Sequence, residues 1–122
     1  MERYYEMMRN MIALTDTGIE ALEYLADKLY ENSEDAPFYL YIDFSDAFLQ
    51  LCQSYNILDM KLPQNRIKER EDMVCKGLIA FENANRVGDM ISMDKLLKVY
   101  LIPAMKVYRA ELAACINPYI LC

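Results

Sequence analysis

Two pairs of acids in this chain of 122 residues have the type and spacing to do chemistry: Glu20 with Glu23, and Asp43 with Asp46. Acids three apart lie on one face of a helix, so each pair presents two carboxylates together. Two such pairs on neighbouring helices make an oxygen-rich clamp of the kind hard divalent cations take, and a bound cation can bridge to phosphate. Glu20 and Glu23 also belong to a longer ridge, Asp16, Glu20, Glu23, Asp27, Glu31 and Glu34. At 100° per residue that ridge occupies roughly 80° of one helix face. Such a ridge is most often a solvated surface.

Other chemistries are missing their residues. Histidine is absent, which removes Ser-His-Asp and Cys-His catalysis, His-ligated zinc and the Glu-x-x-His pairs of di-iron bundles. Cysteines at 52, 75, 115 and 122 form no C-x-x-C pair. At such wide spacing in an apolar helical chain they read as free thiols, with Cys122 the exposed one. The first sixty residues carry twelve acids and three bases, the remainder seven acids and ten bases. The one basic cluster, Lys61 to Arg70, is broken by Glu69 and followed by Glu71 and Asp72. Nucleic acid is therefore not the expected partner. Attraction between the two halves of one bundle explains the asymmetry.

The two acid pairs resemble the E-x-x-E and E-x-x-D pairs with which all-α nucleotide pyrophosphatases, the MazG-like family, hold magnesium. That resemblance implies a magnesium-dependent nucleoside triphosphate pyrophosphatase with Glu20, Glu23, Asp43 and Asp46 as metal ligands. Asp43 stands where that family has Glu. A second resemblance covers residues 89–103, Asp-Met-Ile-Ser-Met-Asp-Lys-Leu-Leu-Lys-Val-Tyr-Leu-Ile-Pro. This stretch is similar to a helix segment of uncharacterised small all-helical proteins of Gram-positive bacteria, which implies bacterial origin and no particular activity. In size, acidity and helix count the chain is also similar to secretion and flagellar chaperones.

The elements that would position these residues are four helices. Positions 1, 5, 8, 12, 15, 19, 22, 26 and 29 repeat at four-three spacing, with a second seam through Tyr4, Met7, Met11, Leu14, Gly18, Ala21 and Leu25. Two adjacent seams make a face wide enough for at least two partner helices. Helix one is expected over about 2–31. Helix two follows over about 36–60, capped by Asp35, with Phe38, Tyr41, Ile42, Ser45, Phe48, Cys52, Tyr55 and Leu58 inward. Leu62-Pro63 breaks the chain. Helix three spans about 64–87, with Ile67, Arg70, Val74, Leu78 and Phe81 on a bulky seam. A tighter seam beside it runs through Met73, Gly77, Ala80, Ala84 and Val87, and Gly88 is the left-handed stop. Arg70, Asn83 and Asn85 lie near its apolar side, and a buried one would pair with a tyrosine hydroxyl or a carboxylate. Helix four, capped by Ser92, covers about 92–115. Met93, Leu97, Tyr100, Ala104, Val107 and Tyr108 face inward, and Pro103 kinks it. The expected fold is a single all-α domain over 1–122, an up-down-up-down antiparallel four-helix bundle.

Ten tyrosines and nine methionines exceed what such a core needs. Both types serve adaptable protein contacts. Tyr5, Tyr24, Tyr30, Tyr39 and Tyr119 are the candidates for a partner-binding or homodimer surface. No apolar run reaches membrane-span length, and the N-terminus lacks a signal-peptide core, so the cytoplasm is the expected compartment. The function expected is a non-enzymatic bacterial interaction protein, adaptor or chaperone-like, that needs no cofactor. The alternative is the magnesium-dependent hydrolase.

Overall fold

The computed structural model describes residues 1–31 and 36–121, with Tyr30 as backbone only. Within them lie four long helices and no strand. A single 3-10 turn, Glu2–Tyr4, leads into α1, Tyr5–Glu31; α2 is Tyr39–Leu58, extended by a 3-10 turn over Asp59–Lys61; α3 is Ile67–Arg86. The fourth helix, α4, is continuous but not uniform. It is α-helical over Met90–Lys95, π-helical over Leu96–Leu101, and α-helical again over Ile102–Ile120. The all-α four-helix bundle expected from periodicity is the fold observed.

Each helix buries one stripe. On α1, Met8, Met11, Thr15, Ile19, Leu22, Leu25, Ala26 and Leu29 are buried, drawn from both seams. The helix packs on α2 and α4, as a two-seam face requires. Thr15, wholly buried, returns its hydroxyl to the Ile12 carbonyl at 2.6 Å and so leaves no polar atom stranded. Contacts between neighbours climb one helix as they descend the next. Lys61, just past α2, lies over the Tyr4 ring at the start of α1, while Tyr41, early in α2, meets Phe81, late in α3. Arg66 at the start of α3 meets Glu111 far along α4, and Gly77 meets Tyr100 nearer its beginning.

The α3–α4 junction turns on three consecutive residues. Gly88 has φ +71°, its N–H reaches the Asn85 carbonyl at 3.1 Å, and the Asp89 N–H reaches Ala84 at 2.9 Å. This is the Schellman closure, in which the last carbonyls of α3 find donors. Asp89 then opens α4, its carboxylate accepting from the Ser92 N–H at 3.1 Å and the Ser92 hydroxyl at 2.7 Å. The cap is therefore Asp89 and not Ser92, which acts as donor to it. Leu62 is extended (φ −104°, ψ 153°), as a residue before proline should be. Asn65 starts α3 by accepting the Ile67 N–H at 2.9 Å. The expected cap of α2, Asp35, lies outside the described residues, as do Glu34 and Cys122.

Two prolines behave differently from expectation. Pro103 has no N–H to give, and the turn before it widens into the π segment, where the Ile102 N–H bonds the Leu97 carbonyl five residues back. Proline then sits in the first turn of the segment beginning at Ile102, where it is well tolerated. Pro118 does not end the helix near 115 as expected. It falls in the last turn, which runs to Ile120 and closes with Leu121 N–H on Asn117 at 3.0 Å.

Candidate functional site

Helix α2 is apolar on two opposite faces. Its core face, Phe44, Phe48, Leu51, Tyr55 and Leu58, is buried. There Phe48 meets the edge of Tyr108 with ring centroids 5.6 Å apart. On the outer face Tyr39 is 63% exposed, Ile42 59%, Leu49 58% and Ile57 52%. Met60 in the following turn is 93% exposed. At 100° per residue all five fall within about 80° of arc, directly opposite the core, with Asp46 and Gln53 between them. Ile42, expected inward, belongs to this exposed stripe, and Phe44 and Leu51 take the core positions. A helix with apolar residues all round gives no single hydrophobic direction, so periodicity misassigned it.

Of the tyrosines expected at a partner surface, Tyr39 ends this stripe. Tyr24 is exposed on α1, with Lys28 Nζ 5.4 Å from its ring centroid. Tyr5 and Tyr119 are half-buried against the core. The side chain of Tyr30 lies outside the described residues.

Glu20, Glu23, Asp43 and Asp46 are all exposed. Among the described residues no group of three or more acids and cysteines is placed to hold a metal ion. Asp43 borders a shallow groove of about 170 Å³ between α1 and α2, floored by Gly18 and Phe44, which neither Glu20 nor Glu23 lines. The groove is shallow because Gly18 brings the helices together; a Cβ there would stand 3.2 Å from the Phe44 ring. The ridge is tied down elsewhere, Asp16 by a two-pronged ion pair with Arg109 of α4 and Glu31 by Lys28 at 3.3 Å.

Sequence reasoning missed a buried carboxylate. The core face of α3 is Ile67, Glu71, Val74, Gly77, Phe81 and Ala84, so Glu71 occupies the place assigned to Arg70. Arg70 is half-buried with Nη1 3.9 Å from Met73 Sδ, and Asn83 and Asn85 are exposed. The strict four-three spacing 67, 71, 74 would have found it. Glu71 is 6% exposed; Oε2 lies 3.8 Å from Lys68 Nζ, and Oε1 has no hydrogen-bond partner. Burial raises its pKa, with Lys68 pulling the other way. Burial likewise pushes the Cys52 thiol up to about 12, with Glu71 adding to the rise, so this thiol is inert at neutral pH. The Tyr108 hydroxyl, also buried, has no partner. Nearby, the Tyr55 hydroxyl stands 3.0 Å from both Asp59 Oδ1 and Asn65 Oδ1, and burial pushes it up to about 12. Asn65 also donates to the Pro63 carbonyl at 2.8 Å, so one amide joins the α2 end, the α3 start and the connecting turn.

Two surface depressions complete the inventory. A polar cleft of about 640 Å³ is lined by Gln64, Asn65, Arg66, Glu69, Arg70 and Glu111, with charges of both signs. An apolar groove of about 390 Å³ follows the π turn along Leu96, Val99 and Tyr100. No helix among the described residues is long and apolar enough to cross a membrane.

Comparison with curated proteins and with solved structures finds no match. Residues 6–111 match the family model described as a domain of unknown function, DUF8042, and the match spans all of α1, α2 and α3 and most of α4. The chain belongs to the DUF8042 family.

Proposed function

We propose that this chain is a non-enzymatic bacterial protein-interaction module, an adaptor or chaperone-like bundle of the cytoplasm that docks through the outer face of α2. One observation carries the reading: Tyr39, Ile42, Leu49, Ile57 and Met60 form a single exposed stripe on the helix whose other face holds the core together. Scattered exposed apolar residues are ordinary, but a contiguous row on one helix face marks a contact surface. The face is rigid because Phe44, Phe48 and Leu51 fix the helix from behind, so docking orders little that is not already ordered. The magnesium-dependent reading has no supporting observation, since its four acids are exposed and uncollected.

The test is a photo-reactive amino acid placed at Leu49 or, as control, at Glu23 of the acidic ridge, in the organism that makes the protein. Covalent adducts to protein at position 49 and none at position 23 support the reading. Adducts at 23 alone, or at neither position, overturn it.

A further inference from the structure

The stripe on α2 is arranged symmetrically about its own middle. Tyr39 and Met60 lie equally far from the midpoint between Leu49 and Gln50, and so do Ile42 and Ile57. A surface that meets itself across a two-fold axis requires this property, because each residue must face what its mirror position supplies. We propose that a second copy of this chain occupies the face, α2 against α2 in opposite directions, with the axis beside Leu49 and Gln50. This rests on the docking role of the stripe and names its occupant.

Charge sets the direction. Helix α2 carries two acids, Asp43 and Asp46, both in its first half, and no Lys or Arg. Its exposed amides, Gln50, Gln53 and Asn56, lie in the second half. Opposed copies bring Asp46 level with Gln53 and Asp43 level with Asn56, so carboxylates meet amides. Copies running the same way would set acid beside acid, which is repulsive. Area sets the strength. Five side chains leaving on the order of 100 Å² each in water give roughly 500 Å² per copy, or about 1,000 Å² in the pair, the lower limit for a specific interface. The dimer is therefore a concentration-dependent one.

Sedimentation equilibrium of the reduced full chain, with Leu49→Asp and Gln53→Lys beside it, tests this. The wild type associates in the micromolar range, and Leu49→Asp weakens association at least about tenfold with an unchanged melting curve. Gln53→Lys places an ammonium level with Asp46 of the other copy, so it tightens the dimer several-fold at low salt and loses the gain at high salt. It removes no apolar atom and keeps the test decisive should Leu49→Asp unfold. A wild type that stays monomeric, a dimer indifferent to Leu49→Asp, or one that Gln53→Lys weakens overturns the proposal. If the chain is monomeric yet a probe at position 49 captures a different protein, only the identity of the occupant falls. If it is monomeric and the probe captures nothing, the docking role falls with it.

Discussion

Replacing Glu71 with methionine should stabilise the protein at neutral pH. The carboxylate sits on the core face of α3 with Oε1 unpartnered, and its one cation, Lys68, is 3.8 Å from the other oxygen and half exposed. A stranded buried polar atom costs about 1–3 kcal/mol, and a pair with a largely exposed lysine returns at most about 1 kcal/mol. Methionine has similar length and packs as a flexible apolar chain. The net gain is about 1–2 kcal/mol, a rise of roughly 3–10 °C in midpoint for a chain of this size. The pH dependence has a definite sign. Burial raises the folded pKa above the ordinary 4.5, so the folded state keeps its proton to higher pH than the unfolded chain does. The penalty is absent near pH 4.5 and switches on as pH rises through the raised folded value. Urea melts of wild type and Glu71→Met across that range should therefore show a stability gap that is full at neutral pH and closes on acidification. Other carboxylates cancel in the difference. A destabilised variant, or a gap that widens as pH falls, would refute the reasoning and mean that the ionised carboxylate has an attractive partner in the core.

Three further substitutions probe the elements that frame the core. Gly77→Ala puts a Cβ 2.8 Å from the Tyr100 ring and 3.0 Å from Leu101; the clash of about 1–3 kcal/mol should outweigh the roughly 1 kcal/mol helical gain, seen as a lower urea midpoint. Tyr55→Phe removes the hydroxyl between Asp59 and Asn65 and should cost about 0.5–1.5 kcal/mol by the same melts. Asp89→Ala removes the acceptor for Ser92, while Asp89→Asn keeps most of it. The Ser92 hydrogen bonds hold the Asp89 pKa below its usual value, so its contribution is present above the unfolded pKa and disappears as pH falls through the folded one. Thermal melts should show the Ala variant's deficit shrinking in acid.

Where one face of a helix is apolar and the other charged, the sequence alone locates the core. The two seams of α1 merge into the buried face that meets both α2 and α4. Gly88 ends α3 with the positive φ that its lack of a Cβ allows. The reading fails where that contrast fades. On α2 the outer positions Ile42, Leu49 and Ile57 are as apolar as the inner ones, so only the neighbours decide which side faces in. Tyr39 alone was visible as a surface candidate. On α3 a carboxylate occupies a core position, which hydropathy assigns to the surface; spacing held the better clue. Asp89 hid as a cap because its donor, Ser92, is itself a residue that caps.

The π turn in α4 has a consequence for how the chain tolerates length changes. Buried residues before and through it recur every four, at Met93, Leu97, Leu101 and Met105, whereas a regular helix would carry that row steadily around its axis. The widened turn absorbs the drift and acts as a phase adjuster. Removing one residue between Leu96 and Leu101 would let the segment relax to an ordinary helix, but would rotate everything after it by about 100°. Arg109 would swing away from Asp16, and Tyr108 and Leu112 out of the core. The two halves of α4 thus keep independent frames, one read by α3 through Gly77 and Tyr100, the other by α1 through Asp16 and Arg109.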